Sequence, residues 1–488
     1  MKKIFTICMI LILPRFCFPQ NAPVVKQFLK NVKEITRVLE YNDNVRILQV
    51  NNSNDDFDVV AINENMEELW RTNLKGYALT LANFKGKVLA VAATDYGTFK
   101  SNNNTYKGFI INGKTGNVEF EKLIFDGQQE KSMVPAFFSS KDGSNFKIVV
   151  RQNNVARRMH MGLPGPLALI AIHSIESDYL ATSDLMVLDV DDKLNVTSTL
   201  KPAIDEGYFA DVASGRTGDA VIAWMSGGSI KLVKYNQNAK GAQGEITEDL
   251  EVSNIDDKRD CQNLKLIASK TPDVYYTAIV IKNTRKEWAL AVTKFNFKDK
   301  SKKTTYVEYN KQNVKALEKA YKQTDKKIDK PDFGPEKDFD IRNITEIDDK
   351  LLVSLSARYV QTGTYSSALI ERSMLINAFD TNLDLQFQQQ LPSSSLNLIL
   401  YINSGFHVAK DGLHVAAVYD KTKAIVGTLN VTTGEWDKME VLDRKKIDAN
   451  YPDTSNTIWF ADSFIMPYAD LKGITKTNRD ITLQLNQN

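Results

Sequence analysis

Short runs of alternating apolar and polar residues recur along nearly the whole chain. A period of two is typical of β-strands that bury one face. The runs are bounded by Gly, Asp, Asn and Lys, which favour turns and hairpins. The pattern therefore predicts an all-β protein. The clearest runs are Arg46–Val50, Lys87–Ala92, Lys147–Val150, Ala220–Met225, Val274–Ile281, Leu351–Ala357 and Leu413–Tyr419.

A longer sequence motif also repeats along the chain. In each copy, an apolar strand is followed by a polar turn and then by a second strand. It is clearest at Phe57–Leu74, Lys107–Ile124 and Lys423–Leu442, and it begins near residues 57, 108, 183, 230, 288, 372 and 423. The shortest spacings fit a four-stranded propeller blade of roughly 50 residues. The polar turn residues are Asn63, Asn112, Asp191, Asn236, Asn296, Asp380 and Asn430.

Two units share a finer pattern, in which an apolar strand is followed by Asn, then Thr-Gly, then an aromatic residue. They are Ile110–Phe120 and Leu429–Trp436. The pattern resembles the quinoprotein-type β-propeller repeat, and the resemblance covers most of residues 40–445. It implies a propeller fold. Some members of that family are cofactor-dependent dehydrogenases, and others are non-catalytic scaffolds of the bacterial envelope.

The resemblance favours the non-catalytic branch, with no cofactor. The dehydrogenases of that family use a Trp beneath the cofactor, a bound calcium and often a vicinal disulfide. Vicinal cysteines are absent from this sequence. The five tryptophans fall mostly inside predicted strands, where they are expected to pack between blades. They are Trp70, Trp224, Trp288, Trp436 and Trp459.

The predicted fold is a single β-propeller over residues 21–488, with seven or eight four-stranded blades. Three terminal strands are expected at Asn456–Ala461, Phe464–Ala469 and Asp480–Leu485. They form an eighth blade, or they complete the first blade with a strand from Glu34–Tyr41. Both blade counts fit the sequence, and we favour eight. In either case a closed ring leaves few exposed sheet edges.

Two insertions interrupt the repeat. Residues 311–339 are Lys-rich, with Val314, Leu317, Ala320 and Tyr321 at helical spacing, which predicts a short exposed helix and a solvated loop.

Residues 153–182 are apolar, which is unusual for a surface loop of this length. They form either a partner-binding element or a long strand pair folded back on its blade. The candidate partner-binding residues are Arg157, Arg158, Met159, His160, Leu167 and Ile170.

The first twenty residues have the pattern of a secretory signal peptide. Lys2 and Lys3 precede an apolar stretch, Ile4–Leu13, that is too short to span a bilayer. Cys17 lacks the small residues that lipid attachment requires before it. The sequence therefore predicts an exported protein, periplasmic or extracellular, with no transmembrane segment.

Signal removal changes the charge and cysteine counts. The formal charge of +2 includes Lys2, Lys3 and Arg15, so the mature chain is close to neutral, which argues against nucleic acid as a partner. Cys261 would be the last thiol, and no His lies near it in sequence to activate it. We expect an inert thiol.

The sequence offers no strong metal or catalytic motif. His407 and His414 flank a turn at Asp411-Gly412 and could face one another, but they supply only half of a zinc site, and so do His160 and His173. Acidic clusters at Asp189–Asp192 and Asp256–Asp260 lack the spacing of a calcium loop and are expected to form turns. There is no Gly-x-Ser-x-Gly motif.

The function predicted from these features is an exported protein-binding scaffold whose partner is a protein or a cell-envelope component. The alternative is an enzyme or small-ligand binder, for example carbohydrate-active, with its site in the central channel. Paired carboxylates of a glycoside hydrolase would come from distant strands, so local motifs do not test that alternative.

Export makes a direct prediction about the N-terminus. Because the signal pattern ends near Gln20, the mature protein is expected to begin within a few residues of it. Mass spectrometry of the protein recovered outside the cytoplasm measures this terminus. A recovered protein that still begins at Met1 would contradict the prediction.

Overall fold

The computed structural model describes most of the chain beyond the predicted signal peptide. The described residues are 24–94, 105–127, 136–140, 143–153, 182–202, 207–236, 241–251, 263–284, 287–321, 327–333, 339–362, 367–397, 404–420, 422–442, 451–470 and 479–487. In this part of the chain, no helix is long and apolar enough to cross a membrane.

The chain forms an eight-bladed β-propeller, and the predicted all-β fold is confirmed. The first strand, β1 (Val24–Val32), belongs to the last blade. Blade 1 contains β2 (Glu34–Asn42), β3 (Val45–Asn51), β4 (Asp56–Asn63) and β5 (Glu68–Lys75). Blade 2 contains β6 (Tyr77–Phe84), β7 (Lys87–Ala93), β8 (Thr105–Ile111) and β9 (Val118–Asp126). Blade 3 contains β10 (Ala136–Ser139), β11 (Phe146–Asn153), β12 (Thr182–Val190) and β13 (Val196–Leu200). Blade 4 contains β14 (Tyr208–Ser214), β15 (Ala220–Ser226), β16 (Ser229–Tyr235) and β17 (Gly244–Asp249).

The second half of the ring repeats this order. Blade 5 contains β18 (Lys265–Ala268), β19 (Val274–Thr284), β20 (Glu287–Asn296) and β21 (Ser301–Tyr309). Helix α1 (Lys311–Ala320) follows. Blade 6 contains β22 (Phe339–Ile347), β23 (Lys350–Thr362), β24 (Ser367–Phe379) and β25 (Leu385–Leu391), with β26 (Ser395–Asn397) added to β24. Blade 7 contains β27 (Gly405–Val408), β28 (Leu413–Asp420), β29 (Lys423–Asn430) and β30 (Glu435–Leu442). Blade 8 contains β31 (Tyr451–Pro452), β32 (Ile458–Trp459), β33 (Ser463–Asp470) and β34 (Arg479–Gln487).

The ring is closed by the N-terminal strand. β1 pairs antiparallel with β34, so blade 8 combines both ends of the described chain. The eighth blade is confirmed. The alternative, in which the terminal strands complete the first blade with Glu34–Tyr41, is wrong. Glu34–Asn42 pairs with β3 inside blade 1, and the terminal strands form a separate sheet with β1.

The middle strands of each blade are apolar on both faces. In β7 and β15 almost every residue is buried, because each face of the sheet packs on a neighbouring blade. The expected alternation of buried and exposed positions is therefore wrong for these strands. It holds better in the outermost strands, such as β5 and β17.

The repeated motif corresponds to one type of turn, which joins the third and fourth strands of a blade. The side-chain oxygen of the polar residue accepts a hydrogen bond from a backbone N–H two residues on, as in an Asx turn. A residue with positive φ completes the turn at Met66, Gly116, Leu194, Lys300, Leu383 and Gly434. The accepting residues are Asn63, Asn112, Asp191, Asn296, Asp380 and Asn430.

Some of these turns also join neighbouring blades. Trp70 of blade 1 donates from Nε1 to the carbonyl of Gly113 at 3.0 Å, and Thr72 donates to the carbonyl of Gly116 at 2.6 Å. A Cβ on Gly116 would lie 2.7 Å from the Trp70 ring. The positive φ favours glycine and the close approach to Trp70 requires it, which explains the Thr-Gly pair of the repeated motif.

The insertion after blade 5 is anchored to the ring. The predicted helix is confirmed as α1: Asn310 caps its first turn, accepting from Asn313 N at 2.9 Å, and Val314 is buried. Farther along, Ile328 and Phe333 are buried. The expectation of a solvated loop holds for Asp329, Lys330 and Asp332, which are exposed, but it is wrong for Ile328 and Phe333, which pack against the propeller.

Candidate functional site

The propeller has two different faces. Because consecutive strands in a blade are antiparallel, the turns after the first and third strands lie on one face, which we call the turn face. The connections after the second and fourth strands lie on the other, the loop face. The longest connections, 154–181 and 310–338, both start from strand ends at the loop face.

The predicted partner-binding residues Arg157, Arg158, Met159, His160, Leu167 and Ile170 lie outside the described residues, as do His173, Cys261 and Asp256–Asp260. The strands that flank the apolar insertion are described, and they pair up to Asn153 and Thr182. The partner-binding role of the insertion thus stays a prediction.

Exposed apolar side chains concentrate on the outer rim near the turn face. Seven large ones lie on the outermost strands of four consecutive blades, 8, 1, 2 and 3, and each is 37% to 57% exposed. All but Leu123 are among the first three residues of their strands, which places them at the turn-face end. We call this set the apolar band: Val24, Val25, Leu69, Val118, Phe120, Leu123 and Val196.

Strand β9 is the centre of the apolar band. It supplies three of its members, and its first six residues are all exposed. It pairs with β8 on one side, and no described strand pairs with its outer edge. Such an edge has free backbone donors and acceptors.

The charges around the apolar band are largely paired with one another. Lys87 lies 2.5 Å from Glu119, Arg71 lies 2.6 Å from Glu68, and Lys107 pairs with Glu121. Exposed pairs of this kind add little stability, about 0–1 kcal/mol each. Their effect here is to cancel local charge, which leaves a nearly neutral apolar surface.

Sequence reasoning missed the apolar band. Val118, Phe120 and Leu123 read as ordinary residues of an amphipathic strand, and only the blade order shows that this strand is outermost. A usable signal was present, because the fourth strand of each repeat is the one that faces solvent.

The two histidines of the predicted half-site do face one another. His407 and His414 are opposite in register, with ring centroids 5.8 Å apart. Trp459 of blade 8 stacks on His407 at 5.9 Å, and His414 Nε2 lies 2.9 Å from an oxygen of Asp411. Within the described ranges, no group of three or more His, Cys, Asp or Glu side chains is placed to hold a metal ion.

A buried arginine joins this cluster to blade 1. Arg46, on β3, is 3% exposed and donates from Nε to the carbonyl of Trp459 at 2.6 Å. Its Nη2 pairs with Glu40 at 3.0 Å, and its guanidinium lies 4.6 Å from the centre of the Phe460 ring. The histidine cluster therefore spans blades 7, 8 and 1.

The histidine cluster disfavours further positive charge. Burial, with smaller contributions from the nearby His414 and Arg46, lowers the pKa of His407 to about 4. A neutral His407 can stack on Trp459 without a counter-ion. The cluster is best explained as packing at the junction that closes the ring.

The turn predicted for Asp189–Asp192 is confirmed for Asp191 and Asp192, whereas Asp189 lies in strand β12. Asp189 is buried and pairs with Lys147 of the neighbouring strand. Asp191 accepts from Lys193 N at 2.9 Å and Asn195 N at 2.8 Å. The tryptophan prediction is also confirmed, since Trp70, Trp224, Trp288, Trp436 and Trp459 all lie in strands.

The known structures that resemble this chain do so only distantly. No protein-family model matches the sequence, and no curated protein matches it. The WD40 domain of SCAP from fission yeast is 9% identical, with 95% of this chain and 98% of that chain covered and a TM-score of 0.43. A prolyl endopeptidase is 9% identical, with 91% and 56% covered and a TM-score of 0.44. For the Dos1 propeller the identity is 9%, the coverage 81% and 76%, and the TM-score 0.38.

The low pKa of His407 predicts acid sensitivity. Its folded pKa, about 4, is below the unfolded value near 6.5. The unfolded chain therefore takes up the proton first, and stability present above pH 6.5 is lost as the pH falls to 4. The expected loss is about 3 kcal/mol.

Replacing the imidazole of His407 isolates its contribution to the pH dependence of stability. His407→Phe keeps an aromatic ring against Trp459 and does not titrate, so its unfolding free energy should fall less between pH 7 and 4.5 than that of the natural chain. Urea unfolding at both pH values measures the difference. Equal pH dependence in the two proteins would show that His407 does not carry it.

Proposed function

We propose that this chain is a protein-binding scaffold that docks its partner on the apolar band. The observation that carries the proposal is the concentration of seven exposed apolar side chains on four consecutive blades. Scattered surface apolar residues are ordinary, but their concentration on the rim of adjacent blades is typical of interaction surfaces.

The composition of the apolar band indicates how the partner binds. Phe120 is a large aromatic anchor of the type that dominates interface energies, and the surrounding charges are paired within the chain. Burial of apolar surface supplies the affinity, so binding should be nearly insensitive to ionic strength.

The remaining expectations from the sequence belong to the same proposal. The mature protein is exported to the periplasm or beyond, its repeat is of the non-catalytic quinoprotein type, and its partner is a protein or envelope component. The apolar insertion 153–182, whose flanking strands end at the loop face, supplies a second contact.

The apolar band can be tested by one charged substitution with a matched control. Phe120→Glu places a carboxylate at the centre of the band and should reduce partner capture by at least tenfold, about 1.4 kcal/mol. Leu385→Glu makes the same change at an exposed apolar residue on the outermost strand of blade 6, which lies outside the band, and should leave capture intact. The measurement is quantitative crosslinking capture from the exported fraction, repeated at high salt.

Deletion of Met159–Ile172 distinguishes docking on the loop face from docking on the apolar band. If this deletion abolishes capture while Phe120→Glu has no effect, the partner docks on the loop face and the apolar band is not the site. If Phe120→Glu and Leu385→Glu reduce capture equally, the effect is general and the proposed location is wrong. Unchanged melting temperatures are required of all three variants.

A further inference from the structure

A polar cleft opens on the turn face between blades 4 and 5, away from the apolar band. It has a volume of about 400 Å³, within the range of small-molecule sites. Its described walls come from turns and middle strands rather than from the first strands that surround the axis. They are formed by Arg216, Thr217, Asp219, Lys234, Asn236, Pro272, Asp273 and Tyr275.

The floor of the cleft is an internally paired group of charges. Lys234 Nζ lies 2.9 Å from Asp219 and 2.5 Å from Asp273, which joins the two blades. Burial lowers the pKa of Lys234, but hydrogen bonds from it to Asp273 and Asp219 outweigh burial and raise the pKa. The ammonium and both carboxylates are thus held in fixed positions.

Hydrogen-bonding capacity remains on this floor. Asp219 is 5% exposed, and its Oδ2 accepts from both Lys234 and Thr217. Its Oδ1, and Oδ2 of Asp273, accept no hydrogen bond from the described residues. Both oxygens keep lone pairs that can accept a hydrogen bond from a hydroxyl of a ligand or of water.

The donors are arranged around these acceptors. Arg216 and Asn236 are exposed at the mouth. Tyr275 lies at the base, and burial followed by the charges of Asp219 and Asp273 raises the pKa of its hydroxyl, so it keeps its proton. The side chain at position 215 is only a hydrogen, and a Cβ there would lie 2.5 Å from that hydroxyl.

The charge balance narrows the ligand class. Two cationic and two anionic side chains cancel, so a ligand with a net charge would face a like charge on one wall. A neutral compound with several hydroxyls can donate to the carboxylates and accept from the guanidinium and amide at once. We propose that this cleft binds a neutral polyhydroxyl ligand of about monosaccharide size.

This inference is independent of partner binding on the apolar band, since none of the lining residues belongs to the band. It also differs from the channel site expected for a ligand-binding propeller, because the cleft lies between adjacent blades. A mutation that abolishes ligand binding in the cleft should leave partner binding unchanged, and the reverse should also hold. Each proposal can therefore be disproved without the other.

Calorimetric titration with a matched ligand panel tests the charge preference. The neutral probes are glucose, galactose, mannose and myo-inositol, and the charged probes are glucuronate and glucosamine. At least one neutral probe should bind at millimolar concentration or below and raise the melting temperature. Glucuronate and glucosamine should bind at least tenfold more weakly than the best neutral probe.

Two cleft variants and one control locate the binding. Asp273→Asn keeps a residue that tolerates the positive φ at this position and removes one carboxylate. It should weaken the neutral ligand by about tenfold and shift the preference toward glucuronate. Arg216→Ala, at the exposed mouth, should also weaken binding. Lys231→Ala, on the same strand as Lys234 but paired with Glu245 outside the cleft, should not.

Three results would overturn the proposal. The first is the absence of binding by every neutral probe, and the second is stronger binding of glucuronate or glucosamine by the natural chain. The third is an equal loss of affinity in Lys231→Ala and in the cleft variants, which would show that the ligand binds elsewhere.

Discussion

The pairing of β1 with β34 is the interaction on which the rest of this structure depends. A propeller blade is stable because neighbours cover both of its faces, so an unfinished blade exposes two interfaces as well as its own edge. Leu29 and Val32 bring buried side chains from the N-terminal strand into the core between blades 8 and 1. Arg46 adds a polar link across the same junction, and His407 and His414 add contacts from blade 7.

The sequence pattern was sufficient to predict a propeller because the same strand and turn requirements recur in each blade. The Asx turn at Asn112 and the Thr-Gly step at Gly116 can be read directly, since side-chain capping and positive φ are local requirements. The strand that closes the ring could not be identified from local sequence in the same way. Val24–Val32 and Glu34–Asn42 have similar strand patterns, and which of them completes blade 8 is decided by contacts with residues more than 400 positions away.

The candidate sites follow from ring geometry, which is why local motifs did not reveal them. Leu69, Phe120 and Val196 lie on one rim only because each belongs to the fourth, outermost strand of its blade. In the polar cleft, Asp219 and Asp273 belong to equivalent turns of adjacent blades, and Lys234 lies between them. The opposite case is His407 and His414, which are close in sequence. Their mutual contact was predictable, but their contact with Arg46 and Trp459 was not.

Both proposed activities are located on the turn face or the rim beside it, where short and well-capped turns hold side chains in place. Such a surface is preorganised, because little chain entropy remains to be lost on binding. The loop face carries the two longest connections of the propeller. The order of strands within each blade therefore places the short turns on one face and the longest connections on the opposite face.

Ring closure by the N-terminal strand is tested most directly by hydrogen exchange on a chain that starts at Lys33. Amides of β34 and β33 are expected to lose protection by orders of magnitude, while those of β15, in blade 4, stay protected. Unchanged protection of β34 in the shortened chain would contradict the claim that β1 completes the eighth blade.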